Sequence, residues 1–121
     1  MRKLLIAHSE EYFTQWLAGV LQEQFEVYIC HTGPDALTKL NTVKPNFLII
    51  NLSLSTMSGL DIVREAEHKP LTMVAITDIL TPAIMQMLID TGFDAVFHMP
   101  CSMKSILSEL NAIIENKFPS L

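Results

Sequence analysis

Residues 44–64 read KPNFLIINLSLSTMSGLDIVR. Within this stretch Phe47-Leu48-Ile49-Ile50 is a continuous apolar run, not an alternating one. That pattern fits a strand covered on both faces. The run ends at the polar Asn51, and a helix-length segment holding Leu60, Ile62 and Val63 begins near Ser58. A buried strand, a loop and an amphipathic helix make one unit of an α/β fold.

Working outward, five short apolar runs recur: Lys3–Ala7, Glu26–Cys30, Phe47–Ile50, Met73–Thr77 and Ala95–His98. Each is followed by a helix-length segment. The first helix is expected from Ser9 or Glu10 to Phe25, with Ser9 as N-cap and Phe13, Leu17, Val20, Leu21 and Phe25 on one face. The second follows Thr32-Gly33-Pro34 and carries Ala36, Leu37 and Leu40. The fourth follows Thr81-Pro82 and ends at Thr91-Gly92. The fifth runs from Ser102 to about Lys117, with Ile106, Leu107, Leu110, Ile113 and Ile114 inward and Phe118-Pro119 as its terminus. Fivefold βα alternation predicts one flavodoxin-like, doubly wound parallel sheet of order 2-1-3-4-5, a single domain over residues 1–121. Such folds place their site beyond the carboxyl ends of the strands. That rule selects His8, Ser9, Asn51, Thr77, Asp78 and Met99.

Composition narrows the function. Charged residues are only 17% of the chain and apolar residues 50%, which fits a helix-covered sheet or a partner-covered surface. Net charge is −5 and the basic residues are scattered, so direct nucleic-acid binding is not expected. The apolar runs are too short to cross a membrane, and the opening Met1-Arg2-Lys3-Leu4-Leu5-Ile6-Ala7 is too short for a signal peptide; a cytoplasmic location is expected. Cys30 and Cys101 are far apart and expected to be reduced, with Cys30 a small core residue. His31 and His68 are expected on the surface, in turns.

With these positions fixed, the chain resembles a response-regulator receiver domain of two-component phosphorelay signalling. Receivers end their first strand in two acidic residues that hold Mg²⁺; here the segment KLLIAHSE has His8 and Ser9. Their third strand ends in the phosphoacceptor aspartate, here Asn51. Their fourth ends in Thr or Ser, here Thr77. Their fifth ends in Lys-Pro, here Met99-Pro100, and the resemblance implies a cis bond there. Gly59, Gly33, Ala36 and Leu37 also fit, while Val96 stands at the family's switch aromatic.

The resemblance thus implies a switch fold without its chemistry. The amide of Asn51 is nearly non-nucleophilic, His8 and Ser9 are poor Mg²⁺ ligands, and Met99 cannot offset phosphoryl charge. No phosphorylation, no catalytic residue, no cofactor and no Mg²⁺ dependence are expected, and Asn51→Asp alone should not restore the chemistry. Asn51, Ser9 and Thr77 are expected to hydrogen-bond one another in a nearly neutral pocket that Met99 fills. A metal site improvised from His8, Asp78 and His98 is the less favoured reading.

In receivers the fourth helix, fifth strand and fifth helix commonly form the partner face. Here that face would include Ile84, Met85, Met87, Leu88, Ile89 and Val96. The leading expectation is a phosphorylation-independent regulatory module that forms a homodimer or docks a protein partner. It would control transcription through a DNA-binding output domain, attached or separate, that is missing from this chain. A second is a domain switched by an unconventional small ligand or by protonation at His8. A flavin-binding protein is weaker, because the loop His8-Ser9-Glu10-Glu11 is acidic and free of glycine.

Overall fold

A computed structural model describes residues 1–119, so the last two residues of the 1–121 domain lie outside the described residues. Strands β1 (Lys3–Ala7), β2 (Glu26–Cys30), β3 (Phe47–Asn51), β4 (Thr72–Thr77) and β5 (Ala95–His98) alternate with helices α1 (Glu11–Leu21), α2 (Gly33–Val43), α3 (Gly59–Glu65), α4 (Pro82–Thr91) and α5 (Met103–Lys117). The strands form one parallel sheet in the order β2-β1-β3-β4-β5, as the alternation predicts.

Both faces of the sheet are covered, which is why its central strands read as unbroken apolar runs. Successive residues of β1 and β3 divide between two cores. Leu4, Ile6, Phe47 and Ile49 pack with Leu17 and Leu21 of α1 and Ile106, Leu110 and Ile114 of α5. Leu5, Ala7, Leu48 and Ile50 pack with Ala36 and Leu40 of α2 and Ile62 and Val63 of α3. A smaller cluster of Leu60, Ala75 and Leu88 seats α4, with Val96 packed against it. Phe118 does more than end α5: it is 2% exposed, with its ring centroid 5.4 Å from those of Phe25 and Phe47.

Local chemistry explains most helix starts. Thr32, Ser58, Thr81 and Ser102 each accept a backbone N–H at the N-terminus of α2, α3, α4 and α5. Gly92 ends α4 in the left-handed region at φ 105°. Helix α1 departs from expectation at both ends. Its N-cap is Glu10 without a side-chain cap, not Ser9, and it stops at Leu21, after which a turn brings Phe25 into the core. Val20 is 40% exposed and leaves the inward face, where the buried Thr14 takes a place instead.

Gly59 is fixed by close approach. A Cβ there would stand 2.8 Å from the carbonyl oxygen of Asn51 and 3.0 Å from Leu52 Cα. Its N–H also donates to Leu52 O at 2.9 Å, which folds the loop back on the end of β3. The glycine therefore sets how α3 leaves the strand that carries Asn51.

Candidate functional site

Parallel register brings distant residues to one edge of the sheet. Ala7 pairs with Ile50, Asn51 with Ile76, and Thr77 with His98, so the residues just after β1, at the tips of β3 and β4, and after β5 share that edge. There they surround a cleft of about 210 Å³, lined by His8, Glu10, Phe13, Asn51, Ser53, Ile76, Asp78 and Met99. A larger concavity of about 520 Å³, lined among others by Met1, Phe25, Glu26 and Val27, lies between α1 and the edge strand β2, away from the strand tips.

His8 is the centre of the cleft. It is 8% exposed, and its ring stacks on Phe13 at 4.5 Å between centroids. The Glu10 N–H, which has no partner inside α1, donates to Nδ1 at 3.0 Å. Nε2 lies 3.1 Å from Asn51 Nδ2, while Asn51 Oδ1 accepts the Ser53 N–H at 2.9 Å. A backbone N–H can only donate, so Nδ1 holds the lone pair and the proton of the neutral ring sits on Nε2. Nε2–H then faces the amide NH₂: donor meets donor. Turning the amide over satisfies His8 and moves the mismatch to the Ser53 N–H. Either way two N–H groups compete for one acceptor oxygen, and the Asn51 NH₂ faces the one left over.

Burial lowers the His8 pKa from its ordinary 6.5; the nearby Glu10 carboxylate opposes this and His31 reinforces it. His31 is exposed, as expected, and its Nδ1 lies 3.0 Å from the carbonyl oxygen of His8. His68 is half-buried instead, with Nε2–H donating to Pro45 O at 2.7 Å. Cys30 is buried, and desolvation pushes its thiol up to about 12.

The expected triangle of Asn51, Ser9 and Thr77 does not form. Ser9 is exposed and does not line the cleft. The Thr77 hydroxyl donates to Ile79 O at 2.9 Å and accepts from Ile79 N–H at 3.1 Å, bending the loop after β4. The partner of Asn51 is His8, whose ring reaches the position by packing on Phe13. The cleft is also not neutral, since Glu10 and Asp78 both line it. Met99 lines the wall and packs against the α1–α5 core, and the Met99–Pro100 bond is cis. His98 is exposed and outside the cleft lining; among the described residues no three His, Cys, Asp or Glu side chains gather as a metal site.

The expected interaction face divides. Met87 is 40% and Ile89 58% exposed, and Ile84 and Met85 are half-buried. Leu88 is only 2% exposed and belongs to the core, because the turn of α4 points it at Leu60 and Ala75. Val96 is half-buried against the same cluster. Phe13 is the cleft residue that sequence reading assigned only to a helix face. Its place five residues after His8 was the available signal.

No family model matches the chain. Among curated proteins it is 25% identical over 118 residues to the sensory transduction protein RegX3 of Mycobacterium tuberculosis, covering 94% of this chain and 51% of that protein. RegX3 of Mycolicibacterium smegmatis matches to the same extent. The chain thus spans about half the length of the curated relatives it matches. Among solved structures, the non-phosphorylated HemR receiver domain of Leptospira biflexa superposes with a TM-score of 0.84 at 18% identity, covering all of both chains. A CheY-like response regulator receiver domain protein of Methanospirillum hungatei gives 0.81 at 18% identity, with 97% and 96% covered. Chemotaxis protein CheY4 of Vibrio cholerae gives 0.77 at 20%, with 93% and 98% covered.

Proposed function

We propose that this chain is a response-regulator receiver domain that works as a regulatory module whose output does not depend on phosphorylation. The observation that carries the proposal is Asn51. It occupies the tip of β3 with Oδ1 holding the Ser53 N–H and Nδ2 against His8, where the family resemblance places a nucleophilic carboxylate. An amide nitrogen whose lone pair is delocalised offers no oxyanion for in-line attack on phosphorus. Met99 brings no cation to the cleft, and the buried His8 has its Nδ1 lone pair engaged by Glu10 N–H. Mg²⁺, a hard cation that prefers carboxylate oxygens, finds no carboxylate pair at His8 and Ser9.

Signalling then runs through a surface rather than a covalent change. The exposed Met87 and Ile89 of α4, beside the half-buried Ile84 and Met85, support docking of a second copy or a protein partner at the α4–β5–α5 side. The sensory transduction protein RegX3 extends well beyond the matched half, which leaves room for an attached or partner output domain, proposed here to control transcription. No helix of the described residues is long and apolar enough to cross a membrane.

The test is intact mass after exposure to a small phosphodonor with Mg²⁺, paired with sedimentation equilibrium before and after. The expected result is no phosphoryl adduct on the wild-type chain or on Asn51→Asp, and an assembly state that ignores the donor. A stoichiometric adduct on the wild-type chain would overturn the proposal.

A further inference from the structure

The cleft at the strand tips has more hydrogen-bond donors than its own atoms can satisfy. His8 Nε2–H and the Ser53 N–H compete for a single acceptor, Asn51 Oδ1, and the Asn51 NH₂ is left facing whichever of the two loses it. His8 is 8% exposed as a residue and lines the cleft. Two donor nitrogens 3.1 Å apart suit one acceptor oxygen placed over both, at ordinary hydrogen-bond length from each.

The rest of the lining states what else the occupant should carry. Glu10 and Asp78 stand at the same cleft. They disfavour a simple anion and favour a cationic group beside the acceptor oxygen. Phe13, Ile76 and Met99 supply the apolar wall. The volume, about 210 Å³, falls below the roughly 300 Å³ at which drug-sized pockets begin, so the ligand is small.

We infer that the cleft binds a small zwitterion of the amino-acid type: its carboxylate bridges His8 Nε2–H and the Asn51 amide, its ammonium faces Glu10 and Asp78, and a short apolar side chain lies against Phe13, Ile76 and Met99. Such a ligand supplies the missing acceptor without bringing net charge into an acidic rim. It also ties the first loop to the tip of β3, next to the Ser53–Ser58 bridge that closes the β3–α3 loop. This goes beyond the docking surface proposed above, which stands or falls separately.

The experiment is an NMR titration of the full chain, following the His8 ring and Asn51 side-chain signals, with L-leucine as probe. 4-Methylpentanoate, which lacks the ammonium, and isoamylamine, which lacks the carboxylate, are the comparison probes. The expected result is saturable shifts at His8 and Asn51 with L-leucine, and binding weaker by at least about tenfold for either truncated probe. Asn51→Asp supplies an internal acceptor to His8 and is expected to weaken L-leucine by at least about tenfold, while a Glu10→Gln/Asp78→Asn double variant weakens L-leucine but not 4-methylpentanoate. No saturable shift at about 10 mM L-leucine, a regime weaker than any useful affinity, overturns the inference. So does binding that Asn51→Asp leaves unchanged.

Discussion

His8 Nε2 stands 3.1 Å from the Asn51 amide nitrogen across the tips of β1 and β3; the amide NH₂ donates, and Nε2 does too because Nδ1 already accepts the Glu10 N–H. Asn51→Asp replaces the opposing donor with an acceptor while keeping the Ser53 bond. The variant should gain about 0.5–1.5 kcal/mol of stability and raise the His8 pKa, since a carboxylate favours the charged ring. Urea unfolding with an NMR titration of His8 checks both. A less stable variant with an unmoved His8 would contradict the donor–donor assignment.

The depressed His8 pKa has a signed consequence. Below the ordinary 6.5 the unfolded chain takes up the His8 proton while the folded chain, with its pKa lowered chiefly by burial, does so only at lower pH. The unfolded state therefore binds more protons in that window, and stability falls as pH drops from 6.5 through the folded pKa. Protonation would also put a hydrogen on Nδ1, against the Glu10 N–H at the start of α1. Thermal unfolding between pH 7.5 and 5 should show the loss, and His8→Phe should flatten it. Equal slopes in the two proteins would exclude His8 as the source.

At Gly59, packing is expected to override helix propensity. Alanine is normally about 1 kcal/mol better than glycine inside a helix. Here its methyl would meet Asn51 O at 2.8 Å and Leu52 Cα at 3.0 Å, both backbone atoms that cannot rotate away. Gly59→Ala should therefore destabilise by about 1–3 kcal/mol in denaturant unfolding. It should also move the Asn51 signals. A neutral or stabilising effect would show that the loop yields easily.

Adjacent residues on α4 should respond oppositely. Leu88→Ala empties a site that is 2% exposed and should cost about 2–5 kcal/mol. Ile89→Asp alters a residue that is 58% exposed and should change monomer stability by less than about 0.5 kcal/mol. If α4 is the docking face, the same Ile89→Asp change lowers the sedimentation mass of any self-associated form. A large stability loss from Ile89→Asp would place that side chain in the core instead.

The two thiols should differ in native protein. Cys30 is buried with its pKa pushed to about 12, while Cys101 is half-buried. A disulfide reagent at pH 8 should modify Cys101 within minutes and reach Cys30 only on unfolding, because the thiolate is the reactive form. Equal rates would mean that α2 opens readily over β2.

Much of this molecule is legible from its order of residues, and the reason is short range. Unbroken apolar runs such as Phe47–Ile50 report a strand with two covered faces, and Thr32, Ser58, Thr81 and Ser102 cap helices whose N–H groups lie within three residues. The strand order and the carboxyl-edge location of Asn51, Thr77 and Met99 follow from that alternation together with the handedness of crossovers. Tertiary structure alone decided the rest. The Glu10 N–H at the start of α1 meets the ring of His8, which stacks on Phe13, while Ser9 is left exposed. The nearly all-apolar α4 could not declare which residues face inward until Leu60 and Ala75 fixed Leu88 between them. The mismatch between His8 and Asn51 joins residues 43 positions apart. Its sign depends on which ring nitrogen a third group has already taken. Periodicity and capping act over one or two turns of chain, whereas the matching of donors to acceptors depends on atoms that only the folded sheet brings within 3 Å or so of one another.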